Sequence, residues 1–247
     1  MKSIERHKLK ENEFARTVAH ARAAVGARQR DIALVVLMAI VALAAAGGYA
    51  WWRSSRNARA NAALASALAV YEAPVVPPAP PTPGSAPPLP QPGTFQTQQA
   101  KLEAALPKFL EAADKFPGTE AGITARYHAA SLLATLGRHA EAETRFKEVA
   151  DRSSDSIYGR TARLGLAETQ VAQGKFDPAI AIYTELSRDT ASQIPVDSVL
   201  MHLGRACARA GRKEEAVRAF NRIVEEFPQS LYVADARREL AEARRAS

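Results

Sequence analysis

Five histidines and one cysteine are the side chains best suited to catalysis or metal binding in this 247-residue chain. A zinc or hydrolytic site needs imidazole, thiolate or carboxylate groups brought together at a characteristic spacing. Here His7 and His20 fall near the N-terminus, while His128, His139 and His202 are scattered through the second half. Cys207 stands alone, so neither a disulfide nor a cysteine-based metal site forms within one chain. There is no Gly-rich phosphate loop, no H-E-x-x-H and no G-x-S-x-G. The expectation is a protein without catalytic residues, metal or cofactor. An enzyme or enzyme regulator is the competing class, and no nucleophile or ligand set supports it.

The elements that carry these residues are repeats. Gly137, Gly174 and Gly211 are 37 residues apart, and Phe109, Phe146, Tyr183 and Phe220 keep the same step. So do Ala142, Ala179 and Ala216, and Ala130, Ala167 and Gly204. Phe116-Pro117 recurs as Phe227-Pro228. Each unit reads helix, turn, helix. Small residues let the two helices approach, the aromatic fills the space between neighbours, and the glycine supplies a left-handed helix end. Asp177-Pro178 reads as a cap and first helical residue, and Thr119 and Ser230 as further N-caps. His128 and His202 occupy one column two repeats apart, too far to share a metal.

These columns resemble the tetratricopeptide repeat over about residues 95–247. The period is longer than that motif's, with the extra residues between repeats, and the consensus Trp is replaced by Arg126, Arg163 and Leu200. The resemblance implies an all-α solenoid: a second-type helix around 95–115, three helix pairs, and a closing helix from Ser230 to about Arg245. Pro107 should kink the first of these. That helix has no preceding mate unless residues 57–73 supply it, with the proline stretch inserted between. The resemblance also places Cys207 in an inward-facing column and puts Tyr127, Leu164 and Met201, beside Ser131, Glu168 and Arg205 with Arg209 nearby, on the concave face. An apolar column beside a polar one suits an extended or helical peptide.

The N-terminal third anchors this solenoid. Residues 32–52 (IALVVLMAIVALAAAGGYAWW) carry no charge and are long enough to span a bilayer as one helix. Tyr49, Trp51 and Trp52 form an aromatic belt at its far end. Ala44-Ala45-Ala46 resembles a signal cleavage site, but the leader and the span are both too long for a usual signal peptide. Residues 1–30 hold eight Lys/Arg against three acids, and three Arg follow in 53–59, so residues 1–31 are read as a basic cytoplasmic leader. Part of it, from Asn12 to about Arg30, is a candidate surface helix. Residues 53–73 favour helix, and ten prolines between Pro74 and Pro92 make 74–94 an extended linker.

From residue 95 onward 22 Lys/Arg meet 21 Asp/Glu, so the folded part carries little net charge. A nucleic-acid binder concentrates basic charge on its folded module, so that class is excluded.

A basic leader, one span ending in aromatics, an Ala-rich helix (ALASALAVYEA) and a repeat domain containing KLEAALPKFLEAADKFPGTEAGITARYHAA resemble the YfgM-type ancillary subunit family of the SecYEG translocon. The resemblance implies a bacterial inner-membrane protein with a cytoplasmic N-terminus and a periplasmic domain. Its partners would be translocon subunits, periplasmic chaperones and exported polypeptides. The proline insertion departs from that family. EFPQSLYVADARREL looks instead like repeats of outer-membrane assembly and cell-envelope coordination factors, an alternative scaffold role. Oligomeric state is not readable from the sequence.

Overall fold

The structure, a computed structural model, describes residues 29–78, 92–153, 156–189 and 193–245. The basic leader up to residue 28, with His7 and His20, lies outside these residues, as does most of the proline stretch. All regular elements among the described residues are helices: α1 (Gln29–Tyr71), α2 (Gln98–Lys115), α3 (Glu120–Thr135), α4 (His139–Arg152), α5 (Ile157–Ala172), α6 (Phe176–Leu186), α7 (Val196–Arg209), α8 (Lys213–Glu226) and α9 (Val233–Arg245). The fold is thus the all-α, repeat-built one that the column pattern predicts.

The chain divides into two compact units, residues 1–56 and 57–247, and α1 contributes to both. In the first unit α1 turns apolar side chains outward along its length, including Leu37, Val41, Leu43 and Trp51. A helix apolar all round is a lipid-facing or deeply buried one. This helix is long and apolar enough to cross a membrane, with a mean hydropathy of 2.3 over its most apolar 18 residues. Tyr49 lies 6.0 Å from the Trp52 ring, and the Arg56 guanidinium sits 5.3 Å from the same ring.

The second unit is a stack of helix pairs. Residues 57–71 of α1 pack on α2, with Ala67 fully buried and the Tyr71 ring edge-on to Phe109 at 6.1 Å. The two segments that join these helices meet: Val76 N–H donates to Phe95 C=O (2.8 Å), and Phe95 N–H donates to Pro74 C=O (3.0 Å). The two ends of the proline stretch are thus held together beside this helix pair. Helix α2 runs unbroken through Pro107, which lies on its exposed side.

Pairs α3/α4, α5/α6 and α7/α8 follow, and α9 closes the stack against α8. Ala130, Ala142, Ala167, Ala179 and Ala216 have no exposed surface, so the small-residue columns are where paired helices touch. Each pair turns on a glycine in the left-handed region: Gly137 (φ 77°), Gly174 (φ 74°) and Gly211 (φ 74°). One residue past each glycine, a backbone N–H reaches back to the helix end. Arg138 donates to Leu133, Lys175 to Gln170 and Arg212 to Cys207, each at 2.8 Å. This bond set is the Schellman motif, and it fixes the angle at which each second helix returns.

Thr119 caps α3, its hydroxyl accepting from Gly122 N–H at 3.1 Å. Ser156 caps α5 in the same way. Asp177 is not a cap. Lys175 holds the N-cap position of α6 and Asp177 lies in the first turn, where its carboxylate pairs with Arg212 at 2.6 Å. Ser230 accepts from Tyr232 N–H and donates to Asp197 (2.6 Å), tying the entry of α9 to α7.

Candidate functional site

Successive pairs meet through one repeated contact. The aromatic of a second helix packs on the residue nineteen places later, in the next pair's first helix. Phe109 stacks on His128 (centroids 5.1 Å) and Tyr183 on His202 (5.8 Å). The equivalent of His128 and His202 in the middle pair is Gly165. A Cβ built there would lie 2.6 Å from Cζ of Phe146, so only glycine admits the ring so close to the backbone of α5.

A cavity of about 360 Å³ opens at this middle junction, between α3, α4 and α5. Tyr127 and Ser131 line it from α3, and Phe146 from α4. Leu164, Gly165 and Glu168 line it from α5. Tyr127 is edge-on to Phe146 at 5.9 Å and tilted against Tyr158 at 5.8 Å, so the wall is aromatic. The size is at the lower end of ordinary ligand pockets, room for a side chain or two of a partner.

Four of the seven expected concave-face residues, Tyr127, Ser131, Leu164 and Glu168, therefore meet in one cavity. The other three do not line it. Met201 is 2% exposed and shares the buried cluster of Ala236 and Leu240 from α9. It occupies the column of Tyr127 and Leu164, but here that column faces core. Arg205 reaches toward α9, with Nε 3.0 Å from Glu239 and Nη2 3.6 Å from Asp235. The Arg209 guanidinium lies over the Phe176 ring at 5.3 Å.

Gly165, Phe146 and His139 also line the cavity but were not among the expected residues. A signal for Gly165 was present: the column of His128 and His202 reads His, Gly, His. Phe146 belongs by its column to the packing between neighbouring pairs, and it serves the cavity wall as well.

The electrostatics of the cavity are set by Glu168. Burial raises its carboxyl above the usual range, and the nearby His202 partly offsets this. About half of its side-chain surface is nonetheless open, because it stands in a concavity crowded by packed atoms yet reached by solvent. His202 Nε2 lies 3.6 Å from Glu168 Oε1, beyond hydrogen-bond range. Burial also raises the Tyr127 phenol and lowers the His128 imidazole. The Cys207 thiol is fully buried and pushed up to about 11, so it is a packing group rather than a nucleophile.

The helix pairs, their turn glycines and the small-residue contacts are those of a tetratricopeptide repeat stack. A profile of the tetratricopeptide repeat-like domain matches residues 29–230. The chain belongs to that family.

Tetratricopeptide repeat-like stacks act as protein–protein interaction scaffolds, through the extended concave surface that stacking creates. Two solved structures share the fold. One consists of nearly identical TPR-like repeats from Podosopora anserina, at 16% identity and a TM-score of 0.53, covering 60% of this chain and 80% of that one. The other is a tetratricopeptide repeat protein from Parabacteroides merdae, at 16% identity and a TM-score of 0.50, covering 59% of this chain and 55% of that one. No curated protein matches the sequence.

Proposed function

We propose that this protein is a single-pass, membrane-anchored scaffold that holds polypeptides on the concave face of its repeat domain. The observation that carries the reading is the convergence of Tyr127, Ser131, Leu164 and Glu168 on one aromatic-walled cavity. In this reading α1 anchors the chain in a bacterial inner membrane, with the basic leader in the cytoplasm and the repeats in the periplasm. The Lys/Arg excess before the span supports that orientation. The resemblance to YfgM-type subunits supports work beside the translocon, with chaperones and newly exported chains as partners.

A photocrosslinking amino acid at Leu164 of the full-length protein tests this in bacterial cells. Adducts with translocon subunits and exported chains are expected. Adducts with outer-membrane assembly factors or cell-wall enzymes instead would move the scaffold to envelope coordination. No adducts at all would remove the concave face from function. Orientation is read separately by protease. The repeat domain should be digested only after the outer membrane is opened, and digestion from the cytoplasmic side would reverse the topology.

A further inference from the structure

Glu168 is the one acidic residue lining the cavity, which holds no lysine or arginine. Ser131 and Arg205 occupy the same column in the neighbouring pairs. Ser131 is uncharged, and Arg205 is drawn away to Glu239 and Asp235 of α9. The cation of that column therefore does not neutralise Glu168. The basic side chain beside it is His202, 3.6 Å away on the side of the next pair. On the cavity side the Tyr127 and Phe146 rings and Leu164 offer apolar surface, and the polar groups among them, His139 and the threonine hydroxyls, include no lysine or arginine.

The chemistry of the cavity is thus asymmetric: an aromatic and aliphatic recess opened at Gly165, with a partly desolvated carboxylate at its edge. A partner that fills the recess and brings a cation to that edge gains both apolar burial and charge pairing in a shielded place. A partner that brings a carboxylate meets repulsion that water screens poorly.

We infer that the cavity selects polypeptide segments that carry an apolar side chain for the recess and, within a residue or two, a lysine or arginine for Glu168. The inference rests on the scaffold reading and narrows it to a class of partner. Segments of acidic character are excluded by the same arrangement.

The test uses full-length protein in detergent micelles and fluorescein-labelled ten-residue Gly/Ser peptides, read by anisotropy. One peptide carries Leu and, two residues on, Lys. A second replaces that Lys by Gln, a third by Glu, and a fourth keeps Lys but replaces Leu by Gly. The Leu/Lys peptide should bind most tightly, with the Leu/Glu peptide weaker by about tenfold or more, because its carboxylate faces that of Glu168. Loss of Leu should weaken binding by a similar factor. The variant Glu168→Gln should erase the difference between the Lys and Gln peptides, and Glu168→Lys should reverse the order of the Lys and Glu peptides. Both changes are at a half-open side chain, so neither threatens folding. Equal binding of the Lys and Glu peptides would overturn the inference and leave the scaffold reading standing. So would a Lys preference that survives Glu168→Gln. Binding of none of the four would also overturn it, while crosslinking at Leu164 decides the scaffold reading independently.

Discussion

The Phe109 ring stacks on the His128 imidazole, with centroids 5.1 Å apart and planes 26° from parallel. Tyr183 and His202 repeat the arrangement at 5.8 Å and 21°. At His128 burial disfavours the charged imidazole, because desolvation costs the ion more than the neutral ring. The junctions on either side of the cavity are therefore built on histidine, and the cavity junction is built on glycine.

Burial lowers the His128 pKa, so the unfolded chain holds more protons at this position than the folded one. Its contribution is complete above the unfolded value of about 6.5 and is lost as pH falls through and below it toward the lower folded value. The melting temperature should therefore decline between pH 7 and pH 5, and His128→Phe should flatten part of that decline. Scanning calorimetry of both proteins across this range measures it.

Glu168 works with the opposite sign. Its raised carboxyl is costly when ionised, and the cost disappears as pH falls through its folded pKa. Glu168→Gln should raise the melting temperature at pH 7 and leave it unchanged at pH 4. An equal shift at both pH values would mean that packing, not charge, is responsible.

Phe146 is 3% exposed and closes on the backbone at Gly165. Phe146→Ala should cost about 3–5 kcal/mol through the void it leaves. Gly165→Ala should cost about 1–3 kcal/mol by overpacking, although alanine favours helix. Denaturant titration separates the two. A stabilising Gly165→Ala would show that the ring moves aside freely.

Arg126 presents a different kind of junction. Its side chain is 4% exposed, with Nε 3.0 Å from Glu148 and Nη2 donating to Ala113 C=O at 3.0 Å. Nε and Nη1 lack hydrogen-bond partners, so the guanidinium is paired in charge but incompletely satisfied. Glu148 is the nearer of two counter-charges, Asp114 lying 3.6 Å from Nη2, so Glu148→Ala should destabilise by roughly 1–3 kcal/mol, less than a fully unpaired buried charge would. Replacing the cation by an apolar residue of similar length, Arg126→Met, should cost less. Urea unfolding of the two variants gives the order, and the reverse order would mark the pair as strongly net-stabilising.

The architecture was legible in the sequence because a solenoid writes its packing as columns. Gly137, Gly174 and Gly211 announce the turns by a backbone requirement that few other residues meet, and Ala130 and Ala167 announce contact by size. The caps were less legible. Asp177-Pro178 has the right residue types, but the Schellman geometry at Gly174 starts α6 earlier, at Phe176. Column logic also misread Met201. A column states which residues are equivalent and says nothing of what packs against each, and Met201 falls in a buried cluster with α9. Gly165 was overlooked for the converse reason. The histidines on either side carry the chemistry that the column displays, whereas the opening depends on the side chain that is missing between them.

The paired hydrogen bonds between Val76 and Phe95 and between Phe95 and Pro74 have a topological consequence. They close a ring around the eighteen intervening residues, so the two helices of the first pair are held together by contacts at the base of that ring. The entropy of a closed loop grows only logarithmically with its length, by about 0.6 kcal/mol for each doubling. The ring can therefore lengthen, shorten or accept a foreign sequence at small cost to the helices beneath it. Insertion of a Gly/Ser segment between residues 78 and 92 should therefore leave the melting temperature of the stack nearly unchanged.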